Sequence, residues 1–205
     1  LAKLLTQRGV STYKEAQKFL YGTLDDLASP YVLSGMDKAV ARIKKALQYK
    51  EKIVIYGDYD VDGVCSTVII LDCLKKIGLE ANYYVPDRFS EGYGLNAEAI
   101  RDLAKQGYNL VISVDCGITS VTEVELAKEL GLDLIITDHH TPSEELPPAQ
   151  AIINPKLDED IDSFNLCGAG VAFKLAWALS EDILTQEQIF AWLDLVALAT
   201  VADIV

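Results

Sequence analysis

"KIVIYGDYDVDG", residues 52–63, joins a short β-branched and aromatic run to three aspartates at every second position, Asp58, Asp60 and Asp62, and closes on Gly63. One reading is a strand that ends in a carboxylate cluster, because Ile53, Val54, Ile55 and Tyr56 suit a pleated, buried surface. The other is calcium, since an EF-hand loop opens D-x-D-x-D-G with Gly at its sixth position for the turn. Such a loop needs a bidentate Glu at its twelfth position, and counted from Asp58 that residue is Ile69. It would also leave a helix, whereas the run before Asp58 is short and strand-like. The calcium loop fails on both counts. A solvated acidic turn is the plain alternative, but three carboxylates so close together repel one another and favour a bound cation.

From residue 52 onward, short apolar runs alternate with amphipathic helical patterns. The runs are "KIVIY", "ANYYV", "NLVISV", "LDLIIT" and "AIIN", and helices are expected near 62–77, 96–106, 119–130, 169–180 and 186–199. This alternation predicts an α/β fold, a parallel sheet of about five strands with helices on both faces. Residues 1–50 read as an N-terminal segment, helical throughout, with a capping box from Thr12 to Glu15 and Val40, Ile43 and Leu47 along one face. The main domain is then 51–205. Pro147, Pro148 and the acidic "KLDEDID", residues 156–162, mark surface loops.

At 205 residues with 50% hydrophobic content, the chain is long enough for one sizeable core. No apolar stretch approaches the ~20 residues of a membrane span, so a cytoplasmic protein with no membrane partner is expected. Cys65, Cys73, Cys116 and Cys167 form no C-x-x-C pair and sit among apolar or small residues, which suits reduced core positions better than disulfides or a zinc site. The net charge of -13 is uneven: residues 1–52 carry ten Lys and Arg against five Asp and Glu, net +5, and the remainder carries -18. An acidic body argues against holding a polyanion through basic patches. If nucleic acid is the substrate, bound metal, the basic first segment or chain beyond this sequence must offset the repulsion.

Where the polar residues fall carries the functional reading. "KIVIY" runs into Asp58, "NLVISV" into Asp115, and "LDLIIT" into Asp138, His139 and His140. In an open parallel sheet, the carboxyl ends of the strands share one rim, where ligands bind. Three separate pieces of chain therefore bring acids and imidazoles to one place. Each Asp alone could be a helix N-cap, but that account has to be repeated for every one of them.

With "YGDYDVDG", "VDCG" and "DHH" (138–140) in this order, the sequence resembles the DHH phosphoesterase superfamily and, within it, the RecJ-type single-stranded-DNA exonucleases. "LLTQRGV", "MDKAVARI", "PDRFSEGYGLN", "LCGAGVAFKL" and "LVALATVADIV" extend the likeness along the whole chain. The resemblance implies a metal-dependent enzyme that digests single-stranded DNA from its 5′ end to nucleoside 5′-monophosphates, in DNA repair and recombination. It implies a repair helicase or single-strand-binding protein as partner, and a second domain after Val205 that closes over the substrate. Oligoribonucleases and cyclic-dinucleotide phosphodiesterases share the core, and a non-catalytic binding module is a further alternative.

The resemblance also implies a ligand set for two ions, Mn²⁺ foremost with Mg²⁺ as the second candidate, because a mixed carboxylate and imidazole shell suits Mn²⁺. Asp60, with Asp58 near it, would hold one ion; Asp62, His139 and Asp203 would hold the other; Asp115 would bridge both. Asp203 is preferred to Asp194 because it stands inside "TVAD". His140 resembles the residue that contacts phosphate, and Asp138 would orient a His. The amides of Gly168, Ala169 and Gly170 open an apolar helix and could hold a phosphate, or the glycines could serve close packing. Arg88 could meet the substrate backbone or pair with Glu91, and Tyr93 offers a stacking face for a base.

Overall fold

All five apolar runs are strands in the computed structural model, which describes residues 1–89, 91–158 and 165–205. β1 (Ile53–Tyr56), β2 (Ala81–Tyr84), β3 (Leu110–Val114), β4 (Asp133–Thr137) and β5 (Ala151–Ile153) form one parallel sheet in the order β2-β1-β3-β4-β5. Successive strands from β1 leave it on opposite sides, so a crevice opens beyond the carboxyl ends of β1 and β3. Residues 159–162 of the acidic stretch read as a surface loop, and Ser90 within "PDRFSEGYGLN", lie outside the described residues.

The runs of β1 and β3 are buried throughout because both faces of the sheet are covered there, whereas the edge strand β2 leaves Asn82 and Tyr83 exposed. Ile53 and Ile55 of β1 enter one core, while Val54 and Tyr56 enter the other. Leu110, Ile112 and Val114 of β3 follow the first pair, and Val111 follows the second. Side chains alternate with the period of two that a strand imposes, and each finds an apolar layer.

The helices that precede the sheet are α1 (Ala2–Gln7), α2 (Tyr13–Tyr21) and α3 (Met36–Tyr49). Helix throughout residues 1–50 is therefore corrected. The chain leaves α2 through Gly22, and Leu24–Asp26 and Pro30–Val32 form only single 3₁₀ turns before α3. Proline and glycine interrupt the ladder there. Thr12 and Glu15 do close a capping box, with amide contacts of 2.9 and 3.2 Å. α3 buries Met36, Ala39, Val40, Ile43 and Ala46 in the larger core.

On that same face lie α4 (Val61–Lys76), α7 (Gly168–Ser180), α8 (Gln186–Phe190) and α9 (Leu193–Asp203); α5 (Ala97–Lys105) and α6 (Val121–Glu129) cover the other. The single helix expected over 186–199 is two, α8 and α9, and the second runs on to Asp203. Trp192 stands between them, buried, with its indole N–H donating to Asp72 of α4 at 2.7 Å. That anchor holds the chain where periodicity alone predicts an unbroken helix. The four cysteines are buried and free. Among the described residues, no helix is long and apolar enough to cross a membrane.

Lys174 of α7 is the unusual member of this core. Its side chain is buried, its ammonium donates to the Ala28 carbonyl and lies 4.8 Å from the Trp177 ring centroid, and burial lowers its pKa to about 8. Below about 8 the group is charged in both states and the cost of burying it is fully present. Between that pH and the ordinary lysine value only the unfolded chain keeps the proton, so stability rises with pH across the window. Lys174→Met should remove a rise on the order of 2–3 kcal/mol from the denaturation profile of the parent between pH 8 and 10.5. Parallel profiles for parent and variant would show that the buried ammonium carries no such cost.

Candidate metal centre

The alternating aspartates of "YGDYDVDG" do not alternate on a strand. Asp58 lies in the loop after β1, Asp60 is the N-cap of α4, and Asp62 is in the first turn of that helix. The Asp60 carboxylate accepts the Gly63 N–H at 2.9 Å, and Asp58 accepts the Tyr59 N–H at 2.8 Å. A Cβ on Gly63 would stand 2.6 Å from the Cβ and carbonyl oxygen of Asp58. Glycine at this position lets the first turn of α4 pack directly on the loop that carries the first carboxylate.

β3 delivers Asp115 in a left-handed conformation, φ 60°, which Asp and Asn adopt more readily than other non-glycine residues. The surroundings hold it there from both sides: its amide donates to the Thr137 carbonyl at 2.9 Å, and its carbonyl accepts the Tyr93 hydroxyl at 3.2 Å. β4 delivers Asp138, His139 and His140. Asp138 is fully engaged, accepting the amides of His139 (2.7 Å), His140 (3.1 Å) and Ile118 (3.0 Å) and the Nδ1–H of His140 at 2.7 Å. It orients His140, and its hydrogen bond is the main cause of the rise of the His140 pKa to about 9.

His139 Nε2 faces three carboxylates: Asp115 Oδ1 at 3.2 Å, Asp203 Oδ2 at 3.5 Å and Asp62 Oδ2 at 3.6 Å. Nevertheless His139 Nε2 and Asp115 Oδ1 are buried and neither makes a hydrogen bond. Burial pushes the Asp115 carboxyl up to about 7, with the neighbouring Asp62 adding to the rise and His139 opposing it. Orphaned buried acceptors are costly, and lone pairs of N and O converging on one point are what a divalent cation satisfies. Ligand atoms of Asp62, His139 and Asp203 lie within 4.8 Å of one another, as do those of Asp58, Asp60 and Asp115. A third set, Asp115, His139 and His140, meets the same limit. The N and O atoms gathered in these sets could hold divalent cations, and Asp115 belongs to two of the sets.

The alternatives left open by sequence separate here. Asp203 stands at the end of α9 beside His139, whereas Asp194, in the first turn of the same helix, accepts only the Leu195 amide among the described residues. Nine residues of helix put the two about 13 Å apart. The expectation that the amides of Gly168 and Ala169 are free for phosphate is corrected. They donate to the two oxygens of Asp62 at 2.6 and 2.7 Å, so the N-terminus of α7 holds a carboxylate of this chain. A Cβ on Gly168 would come 2.5 Å from Asp115 Oδ1, and one on Gly170 3.1 Å from Leu166, so both glycines serve close packing.

Arg88 lies over the Tyr59 ring at 5.2 Å, and the described residues show no ion pair with Glu91. The Glu91 carboxylate instead accepts the Tyr84 hydroxyl, the Asp87 amide and Asn96. Tyr93 has a half-exposed ring but turns its hydroxyl inward to Asp115 and His140. Sequence reasoning missed Asn154, whose side chain donates to the His140 carbonyl at 2.9 Å. The signal was available, since Asn154 ends "AIIN" on the same rim as the residues that were singled out.

Residues 52–200 match the family described as the DHH family, N-terminal domain. The chain is 47% identical over 206 residues to the single-stranded-DNA-specific exonuclease RecJ of Bacillus subtilis (strain 168), a match over 100% of this chain and 26% of that protein. A crystal structure of exonuclease RecJ bound to manganese is similar at a TM-score of 0.77 and 37% identity, over 83% of this chain and 43% of that one. The crystal structure of RecJ in complex with Mn²⁺ from Thermus thermophilus gives 0.78 and 32%, over 97% and 27% of the two chains. The chain thus spans less than half the length of each of these relatives.

Proposed function

The chain belongs to the DHH family, and from that premise we propose that it is the catalytic part of a two-metal phosphodiesterase, an exonuclease acting on single-stranded DNA from the 5′ end. The observation that carries the proposal is the buried pair Asp115 Oδ1 and His139 Nε2, 3.2 Å apart and without hydrogen bonds, with Asp62 and Asp203 at the same nitrogen. Asp58 and Asp60 would hold one cation, Asp62, His139 and Asp203 the other, and Asp115 both. Mn²⁺ fits this mixed oxygen and nitrogen set, and Mg²⁺ is the second candidate. Crystal structures of RecJ with Mn²⁺ and with Mg²⁺ support both ions as candidates. When bound, the cations supply Lewis acidity at phosphorus and lower the pKa of the attacking water.

The protein groups have separate tasks. The α7 amides hold Asp62 in one orientation, which presents a fixed carboxylate to the centre. His140 commits Nδ1–H to Asp138, which raises the pKa of the ring, fixes its orientation and leaves Nε2 to meet a phosphoryl oxygen. His140→Ala should therefore lower turnover with Mn²⁺ affinity within about threefold of the parent, whereas His139→Ala should weaken Mn²⁺ binding at least about tenfold. Equal losses of metal from both variants in titration calorimetry would sink this division of roles.

Negative charge on the body, -18 over residues 53–205, opposes binding of a DNA strand. Cations at the centre neutralise part of it at the point where phosphate must approach. A cytoplasmic setting accords with four buried free cysteines. A repair helicase or single-strand-binding protein belongs to the same reading as partner. The decisive experiment supplies Mn²⁺ and single strands blocked at either end. Mononucleotides should appear only when the 5′ end is free. Hydrolysis of cyclic dinucleotides with intact strands would replace the exonuclease reading by the cyclic-dinucleotide one.

A further inference from the structure

We infer that Tyr93 is a positioning residue whose hydroxyl ties the backbone of Asp115 to the ring of His140; the inference rests on the phosphodiesterase reading of this centre. The hydroxyl lies 3.2 Å from the Asp115 carbonyl oxygen and 3.1 Å from His140 Nδ1. The two rings meet edge to face, centroids 5.7 Å apart. Counting protons fixes the direction of each bond. Asp138 Oδ1, 2.7 Å from His140 Nδ1, already accepts two amides, so the ring nitrogen must carry the hydrogen. A carbonyl oxygen can only accept, so the single Tyr93 proton goes to Asp115. The Tyr93 oxygen then takes a share of the His140 Nδ1–H.

The consequence is mechanical. Asp115 is held in a left-handed conformation, with its carbonyl secured by Tyr93 and its amide by Thr137. His140 is held by Asp138 on one side and Tyr93 on the other. One hydroxyl thus couples the carboxylate placed between the cations to the imidazole placed toward phosphate. It comes from the loop between β2 and α5, far from either in sequence. A base-stacking role would require only the ring; positioning requires the oxygen.

Tyr93→Phe separates the two, since it removes one atom and keeps the aromatic face. Expected is a fall in kcat of about 10-fold or more, with KM within about threefold, a Tm lowered by no more than about 2–4 °C, and displaced ¹⁵N resonances of the His140 ring. Tyr93→Leu should show the same kcat loss. A Phe variant with parental kcat and overlaid His140 resonances overturns the inference, and if Leu alone then raises KM, Tyr93 is a stacking platform. Should the parent hydrolyse no phosphodiester with Mn²⁺, the functional reading fails, while the His140 resonances still decide whether Tyr93 orients that ring.

Discussion

Asp115→Asn should abolish the proposed metal-dependent hydrolysis, by more than the roughly 100-fold that losing a merely supporting group costs, and leave the chain folded. Asparagine tolerates the left-handed backbone that Asp115 adopts, so the φ of 60° is kept without new strain. It is also nearly isosteric, which matters where Gly168 packs against the carboxylate. What changes is charge and donor capacity. An amide offers one weak oxygen where the carboxylate offers two, and it cannot serve two cations at once. Calorimetry should show at most one weak Mn²⁺ site, with circular dichroism unaltered. Activity within tenfold of the parent would falsify the assignment of Asp115 to a position between two ions.

Gly168→Ala should weaken the proposed Mn²⁺ binding by about 100-fold, the upper end of what disturbing a ligand's support costs. Helix propensity favours alanine over glycine, but only weakly at Gly168, the first residue of α7. Close approach decides against the function. The added Cβ would lie 2.5 Å from Asp115 Oδ1 and 2.7 Å from its Cγ, so the carboxylate must rotate or α7 must retreat. If α7 retreats, the amides of Gly168 and Ala169 withdraw from Asp62, and the second ligand loses its orientation. Gly170→Ala is the control, since the atoms nearest its Cβ belong to the Leu166 side chain, from 3.1 Å, and none to a carboxylate of the centre, so metal binding should stay near parental. Equal Mn²⁺ affinities for the two variants would remove the steric argument.

Much of this arrangement is legible before any fold is known. Continuous β-branched runs bounded by polar residues are the pattern that a doubly covered parallel sheet requires, and every run identified is a strand. Because strands of a parallel sheet end on a common rim, the position of Asp58, Asp115 and the 138–140 triplet directly after three runs was enough to bring them together. The alternation of 58, 60 and 62 was legible as a cluster but not as a geometry. Local rules could not tell that one residue lies in a loop, one caps a helix and one sits in its first turn.

Local patterns alone therefore established the strands, the shared rim and the residue types gathered there. Contacts between distant segments decided the rest. Asp62 captures the amides of α7 across 106 and 107 positions, Tyr93 reaches His140 across 47, and Trp192 divides a periodic helix by bonding Asp72 across 120. Asp203 rather than Asp194 meets His139 because α9 presents its last turn, not its first, to the rim. Hydrophobic periodicity encodes which face of an element is buried, but not which polar group will be waiting at its end. That is set by the packing of whole elements, where a buried donor without a partner costs more than local propensity can supply.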